Sequence, residues 1–329
     1  MPNRRRMLVA SAAGVLAAGA GIVPRALAQA VKKPVHVIVG FPAGGGTDVT
    51  ARVLAEALRG PYASAVLVEN KPGASARLAV DYVKNADPDG SIMLFTPDFP
   101  MTLYPHSFKS LSYDPLKDFT PVGPATTSML SYNVGPAVPA SVKTLGDYVQ
   151  WCKANPDKAN YGTTSAGATP HFAGVMLSNE SKVTMTPVHY KGGAPALQDV
   201  VGGHIPMSVN PLSEALPLHQ AGTVRSLAVT GAKRSQFMSD VPTAKEAGYD
   251  VVVESWLGVF LPPKTPADVV NALSASMKSA SESAAMKESL AKFASVSTFQ
   301  TPEQFVQTIK DDLKRWGPVV KASGFVAVD

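Results

Sequence analysis

The sequence predicts an α/β protein of two α/β lobes with a central cleft and hinge crossovers between them. Three observations carry that expectation. Runs of β-branched residues alternate with segments of helical periodicity along most of the chain. A stretch punctuated by Pro and Gly, residues 98–124, separates two such alternating regions. Glycine- and hydroxyl-rich turns stand where predicted strands pass into helices, the place where open α/β sheets bind ligands. The 329 residues suit two domains, and 45% apolar with 17% charged content can bury a core and does not fit a disordered chain.

Residues 1–30 read as an export signal. Arg4, Arg5 and Arg6 precede an apolar, Ala- and Gly-rich run over 7–23, and Ala26-Leu27-Ala28 offers a cleavage site. The paired arginines point to the twin-arginine (Tat) route. The run falls short of the roughly 20 strongly apolar residues a membrane span needs. The expected mature chain starts near Gln29 or Val31 and is soluble in the periplasm. Cys152 is the one cysteine, which excludes an internal disulfide and a Cys-rich zinc site. Lys and Arg total 30 against 25 Asp and Glu, but four arginines fall within residues 1–30, leaving 26 against 25. A mature chain so near neutrality carries no electrostatic footprint for nucleic acid.

The elements follow in order. A strand over 35–39 leads through a glycine turn into a helix over 48–59, which Gly60-Pro61 stops. A strand over 65–69, a helix over 74–85 and a strand over 91–95 complete a parallel right-handed unit. A second αβ region runs from about residue 128 to 229, with helices expected over 145–153, 171–178, 194–202 and 213–221. Strands are expected near 159–162 and over 186–190, 205–209 and 226–230. A strand over 251–261 and helices over 266–293 and 302–323 end the chain; Val270, Leu273, Met277, Ala280 and Ala284 form a core-facing stripe. Residues 31–124 and 229–329 are therefore expected to form lobe 1, and 125–228 an inserted lobe 2.

Two turns are the main candidates for ligand binding. Phe41-Pro42-Ala43-Gly44-Gly45-Gly46-Thr47-Asp48 exposes successive backbone amides at a helix N-terminus, an anion cradle. It lacks both GxGxxG and GK[ST], and Asp48 would repel a multiply charged phosphate, so a single carboxylate, bound directly or through water, fits better. A ligand-free tight turn would not need three successive glycines. The second turn, residues 162–171, offers Thr164, Ser165, Gly167 and Thr169 as neutral donors, with Pro170 suited to the first helical position and His171 just beyond. Thr96 and Asp98, at the end of the third strand, join the candidate set. So do Tyr190, whose ring could wall a cleft, Lys191, a point charge for an anion, and Asn210, leaving a strand end. A solvated Lys191 and an Asn210 that only caps a turn are the plainer readings. Ser165 with His171 admits a serine hydrolase as an alternative, although Gly-x-Ser-x-Gly is missing. The six histidines show no metal-ligand spacing, and no cofactor motif is present.

Several stretches resemble the Bug-type extracytoplasmic solute receptors, the substrate-binding proteins of tripartite tricarboxylate transport systems. They are FPAGGGTDVTAR from Phe41, VENKPG from Val68, YDPLKDFTP from Tyr113 and YKGGAPAL from Tyr190. Leu227-Ala228-Val229-Thr230, Asp240-Val241-Pro242-Thr243 and Thr301-Pro302-Glu303-Gln304-Phe305 continue the resemblance. It implies a type II periplasmic-binding-protein fold and no catalysis. The lobes would close on a small organic carboxylate, held by the turns at 41–48 and 162–171 with Tyr190 and Lys191, and a monomer would deliver it to membrane transporter subunits. A receptor that signals through a sensor kinase is the other partner the resemblance allows. Three departures from the family pattern stand out. Ser75-Ala76-Arg77 replaces a glycine-rich run; Ala166, Ala168 and Pro170 replace polar residues; and Asn210 replaces a common acid. The last predicts a ligand without an amine.

Overall fold

The computed structural model describes residues 31–327, so the expected export signal lies outside the described residues. The first unit is parallel: β1 (Val35–Val39) pairs with β2 (Val66–Asn70) and β3 (Ile92–Pro97). Helix α1 (Gly46–Leu58) crosses from β1 to β2, and α2 (Arg77–Lys84) from β2 to β3. Two one-turn helices, α3 (Phe99–Thr102) and α4 (Tyr104–Ser107), follow β3. The 15-residue strand β4 (Thr120–Val134) then leads to α5 (Leu145–Ala154), β5 (Asn160–Thr163) and α6 (Thr169–Ser181). Next come β6 (Thr186–His189), α7 (Gly193–Val201), β7 (Met207–Pro211), α8 (Leu212–Gln220) and β8 (Arg225–Val229). The last part holds β9 (Glu254–Leu261), α9 (Ala267–Glu282), α10 (Ala284–Ala291), β10 (Val296–Ser297) and α11 (Pro302–Ser323).

The sheet path is β2-β1-β3-β9-β4-β7-β5-β6, with β8 and β10 also on β4. β4 joins the halves. Thr120 to Met129 pair antiparallel with β9, while Leu130 to Val134 pair with β7, and Ser131 to Val134 also with β8. Alternation explains how its second half is held: Leu130, Tyr132 and Val134 enter one apolar core with Tyr161, Phe172 and Val209, and Ser131 and Asn133 lie between them in sequence. The first half-sheet is covered on both faces. Val35, Val37 and Val39 pack with Leu54, Leu58, Leu273 and Met277; Ile38 and Leu94 pack with Val80, Phe260 and Phe305.

The chain crosses between half-sheets twice at one place. Thr230 donates its hydroxyl to the Val253 carbonyl (2.5 Å) and accepts from the Leu130 amide (3.0 Å), tying the outgoing and returning strands together. Helix α11 also serves both halves. Phe305 and Ile309 belong to the Ile38 core, and Trp316 and Val320 to the Tyr132 core.

Four expectations need correction. The punctuated stretch ends earlier than expected, because β4 already begins at Thr120. Its register shifts between Pro121 and Gly123 and between Pro124 and Thr126, so the prolines stand at bulges where a strand tolerates them. The helix expected over 74–85 starts properly only at Arg77. Ala74, Ser75 and Ala76 form a single 3₁₀ turn with φ of 46°, 55° and 72°. The left-handed path that glycines would take at no cost is thus kept by residues with side chains. The strand expected over 251–261 begins at Glu254. The helix expected over 266–293 breaks at Ser283, whose hydroxyl caps α10 by accepting from the Met286 amide, and Ala284 is exposed instead of joining the stripe.

Candidate functional site

The turn after β1 is built to present amides. Gly44 takes φ +82°, and Gly45 caps α1 with no side-chain acceptor for the first-turn N–H groups. Ala43, Gly44 and Gly45 are exposed; Gly46 and Thr47 are half-buried. Asp48 is engaged within its own turn and its neighbours. Its carboxylate accepts from the Gly44 amide (2.9 Å), from Arg52 Nε and Nη2 (3.0 and 2.9 Å) and from Asn70 Nδ2 (2.9 Å). Burial pushes Asp48 up, but Arg52, the Gly44 amide and Asn70 together hold it below the usual carboxylate range. It is a staple that fixes the shape of the glycine turn.

The turn after β5 is anchored to the first half of the molecule. Thr169, 1% exposed, donates its hydroxyl to both oxygens of Asp98 (3.0 and 2.9 Å), and Ser255 on β9 donates to the same carboxylate (2.9 Å). Asp98 is fully buried, and burial pushes its pKa up to about 7, with the Asp312 charge adding to the effect and the Ser255 and Thr169 hydroxyls opposing it. A Cβ on Gly167 would come 3.5 Å from Ser107 Oγ and 3.6 Å from the Tyr104 ring. Tyr104 in turn donates to the Ser75 carbonyl (3.1 Å) and its hydroxyl interacts with Ser165. Phe41 packs against the cores of both halves, its ring 5.9 Å from Phe99. Thr96 is buried on β3.

The remaining turns extend this in a row. Gly192 donates its amide to the Thr164 carbonyl (2.9 Å), joining the turn before α7 to the turn before α6. Asn210, at the end of β7, donates to the Gly193 carbonyl and to Glu214 Oε2 on α8, both at 3.1 Å. A Cβ on Gly46 would lie 3.7 Å from Ser213 Oγ, so α1 and α8 begin side by side. Helices α1, α6, α7 and α8 all start without a side-chain cap. Contacts therefore link four uncapped N-termini along one seam between the halves. Each carries about half a positive charge, offset in part by the Asp48 carboxylate in the first turn of α1 and the Glu214 carboxyl in the first turn of α8, and the seam holds no dedicated cation among the described residues. Two concavities, about 100 and 200 Å³, open elsewhere, and neither is lined by a residue of the candidate set.

Some candidates do less than their residue types promised. Tyr190 is spent within its own half: its hydroxyl donates to Asp199 (2.6 Å) and its ring packs with Val200 and Ile205. Lys191 is exposed. His171 accepts the Gly167 amide on Nδ1 (3.2 Å), stacks on Phe172 and meets Phe325 edge-on, each at 4.7 Å. Burial pushes its pKa down to about 3, with His189 adding to the effect. An imidazole in that state, with no bond to Ser165, is no general base, and the hydrolase alternative loses its mechanism.

Sequence reasoning missed Tyr104, Ser255 and Glu214. Tyr104 lies in the stretch read as Pro-punctuated loop. Glu214 bears on the expectation of an amine-free ligand, which rested on Asn210 having replaced an acid: the structure sets a carboxyl beside Asn210, four residues on. The signal available was a lone acid in an otherwise small and apolar run, 207–217.

The fold is that of a two-lobed solute-binding protein. Comparison narrows this. Residues 50–325 match the Tripartite tricarboxylate transporter family receptor (TctC) sequence model, and the chain belongs to that family. A Cupriavidus necator protein described as a UPF0065 protein in the gbd 5' region is 32% identical over 329 residues, 98% of each chain. A Rhodopseudomonas palustris protein solved with adipate is 28% identical with TM-score 0.84, over 90% of this chain and 98% of that one. MatC from the same organism, solved with bound malate, is 28% identical with TM-score 0.79, over 87% and 98%. Proteins of this family are solute-binding receptors, not enzymes.

Proposed function

We propose that the chain is exported to the periplasm, losing residues 1–30, captures a small organic carboxylate between its two lobes, and delivers it to the membrane subunits of a tripartite tricarboxylate-type transporter. The observation that carries this reading is the row of helix N-termini without side-chain caps along the seam. Backbone amides at Gly46 and Thr47 on one side and in the turn 164–169 on the other hold the carboxylate, directly or through water. The glycines provide close approach, Asp48 keeps the first turn in shape, and the Asp98–Thr169 contact joins the halves. The crossovers at Thr230 give the hinge about which the lobes part and close, and the closed form is what transporter subunits recognise. The malate and adipate bound by the two R. palustris relatives are consistent with this ligand class.

Native mass spectrometry of the mature protein as purified, followed by calorimetric titration with mono-, di- and tricarboxylates, tests the reading. Retention or binding of an organic acid with one-to-one stoichiometry is expected. No bound acid and no heat with any of them would end it.

A further inference from the structure

After α11 the chain folds back over the turn that precedes α6. Gly324 ends the helix at φ +67°, and the Phe325 amide donates to Ser323 Oγ (3.1 Å). The Phe325 ring then meets His171 edge-on at 4.7 Å, with Phe172 at 5.9 Å and His189 of β6 at 6.3 Å. Two residues on, Ala327 donates its amide to the Ser107 carbonyl (2.7 Å) and forms a parallel bridge with Phe108, just past α4. A Cβ on Gly167 would stand 3.3 Å from Phe325 Cε1 and 3.5 Å from Ser107 Oγ. Gly167 therefore sits between the ring and the residue to which Ala327 is tied.

The turn needs support from outside. Gly167 takes φ +74°. Its amide reaches His171 Nδ1 at 3.2 Å, and the Ala168 amide reaches the Ser165 carbonyl at 3.4 Å, both at or beyond the long end of the ordinary range. The imidazole that accepts the first of these is itself stacked on Phe172 and capped by Phe325. Removing Phe325 leaves one face of that contact open, and the turn is then free to adopt other shapes.

We infer that residues 324–327 are a strap across the second carboxylate-binding turn, and that Phe325 is a positioning residue that sets the Gly167 amide through His171 without itself contacting the ligand. The inference rests on the carboxylate-receptor reading above. Amides bind a carboxyl tightly only when they already point at it. A turn that holds that shape for a fraction of the time binds more weakly by the same fraction. Because the strap acts on the group that holds the carboxyl, the loss is common to all acids, whatever the rest of each molecule looks like.

The test uses the mature protein and three variants: Phe325→Ala, Phe325→Leu, and Ala327→Pro, which removes the amide that donates to Ser107 and keeps the aromatic side chain. Calorimetric titration with the mono-, di- and tricarboxylates is combined with amide hydrogen exchange of the unliganded proteins over residues 164–169. Phe325→Ala and Ala327→Pro should each weaken every acid the wild type binds by about tenfold, a factor the same within about twofold from acid to acid. Exchange at 164–169 should rise about tenfold in both, with the strands of the sheet unchanged, whereas a loss of global stability would speed exchange everywhere. Phe325→Leu, which keeps an apolar side chain against His171, should return the affinity to within about threefold of wild type. Affinities within about twofold of wild type in Phe325→Ala, or weakened affinities with unchanged exchange at 164–169, would overturn the inference and leave the receptor reading intact. So would a loss confined to some acids, which marks direct contact with the ligand. If no acid binds the wild type, the receptor reading fails and the inference with it. Should Phe325→Ala not fold, Ala327→Pro carries the same comparison.

Discussion

Replacing Asp98 by Asn isolates one buried carboxyl that joins the two halves. Its native pKa of about 7 lies above the ordinary 3.8. Between those values the native state binds more protons than the unfolded chain, so stability contributed by this group is full below about pH 4 and is lost as pH rises through 7. The difference amounts to roughly 4 kcal/mol in total, at about 1.4 kcal/mol per pH unit. His171 works in the opposite sense. A base held at about 3 in the fold against 6.5 costs stability as pH falls from 6.5. The two effects oppose each other over pH 4–6.5, so the wild type alone would report little. Asp98→Asn removes one and leaves the other. The Thr169 and Ser255 hydroxyls can donate to the amide oxygen or turn to accept from its nitrogen, so the contacts survive. Urea denaturation of the mature wild type and variant from pH 4 to 8 gives the stability difference at each pH, from which the shared His171 contribution drops out. The variant should gain on the wild type by roughly 4 kcal/mol between pH 4 and pH 8, most of it before pH 7. A difference constant to within about 0.5 kcal/mol across that range would refute the reasoning.

Three further outcomes are expected. Thr230→Val leaves the Leu130 amide and Val253 carbonyl unpaired at the crossover and should cost about 1–3 kcal/mol by chemical denaturation. Asp48→Ala frees the glycine turn from four hydrogen bonds, so the thermal shift given by a bound carboxylate should shrink well beyond the loss of stability of the unliganded protein. Because burial weakens His171 as a base and its Nδ1 is already engaged by the Gly167 amide, turnover of a p-nitrophenyl ester panel should match the buffer blank in wild type and in Ser165→Ala alike; turnover lost on that substitution would restore the hydrolase.

The alternation of strands and helices, the glycine turns and most core faces were legible because they depend on neighbours within a few residues. Val35–Val39 is β-branched at every position but His36, and Leu54 and Leu58 recur at helical spacing on α1. The same local logic misread β4, since Pro121 and Pro124 look like breakers until a partner strand shows the bulges that absorb them. It also carried the 74–85 helix through Ala74, Ser75 and Ala76. Their left-handed path is held from outside: a Cβ on Gly40 would meet Ala76 Cβ at 2.5 Å, and Tyr104 grips the Ser75 carbonyl.

What the amino-acid order determined by itself was the set of turns able to present amides and the small, neutral character of the residues lining them. Tertiary structure decided which partners the charged groups of those turns meet. Asp48 was spent on its own turn, Asp98 and Thr169 met across 71 residues, and Glu214 came to stand where an acid had seemed lost. The reason is physical: backbone conformation answers to near neighbours, whereas the state of a carboxyl depends on burial and on donors brought from distant parts of the chain.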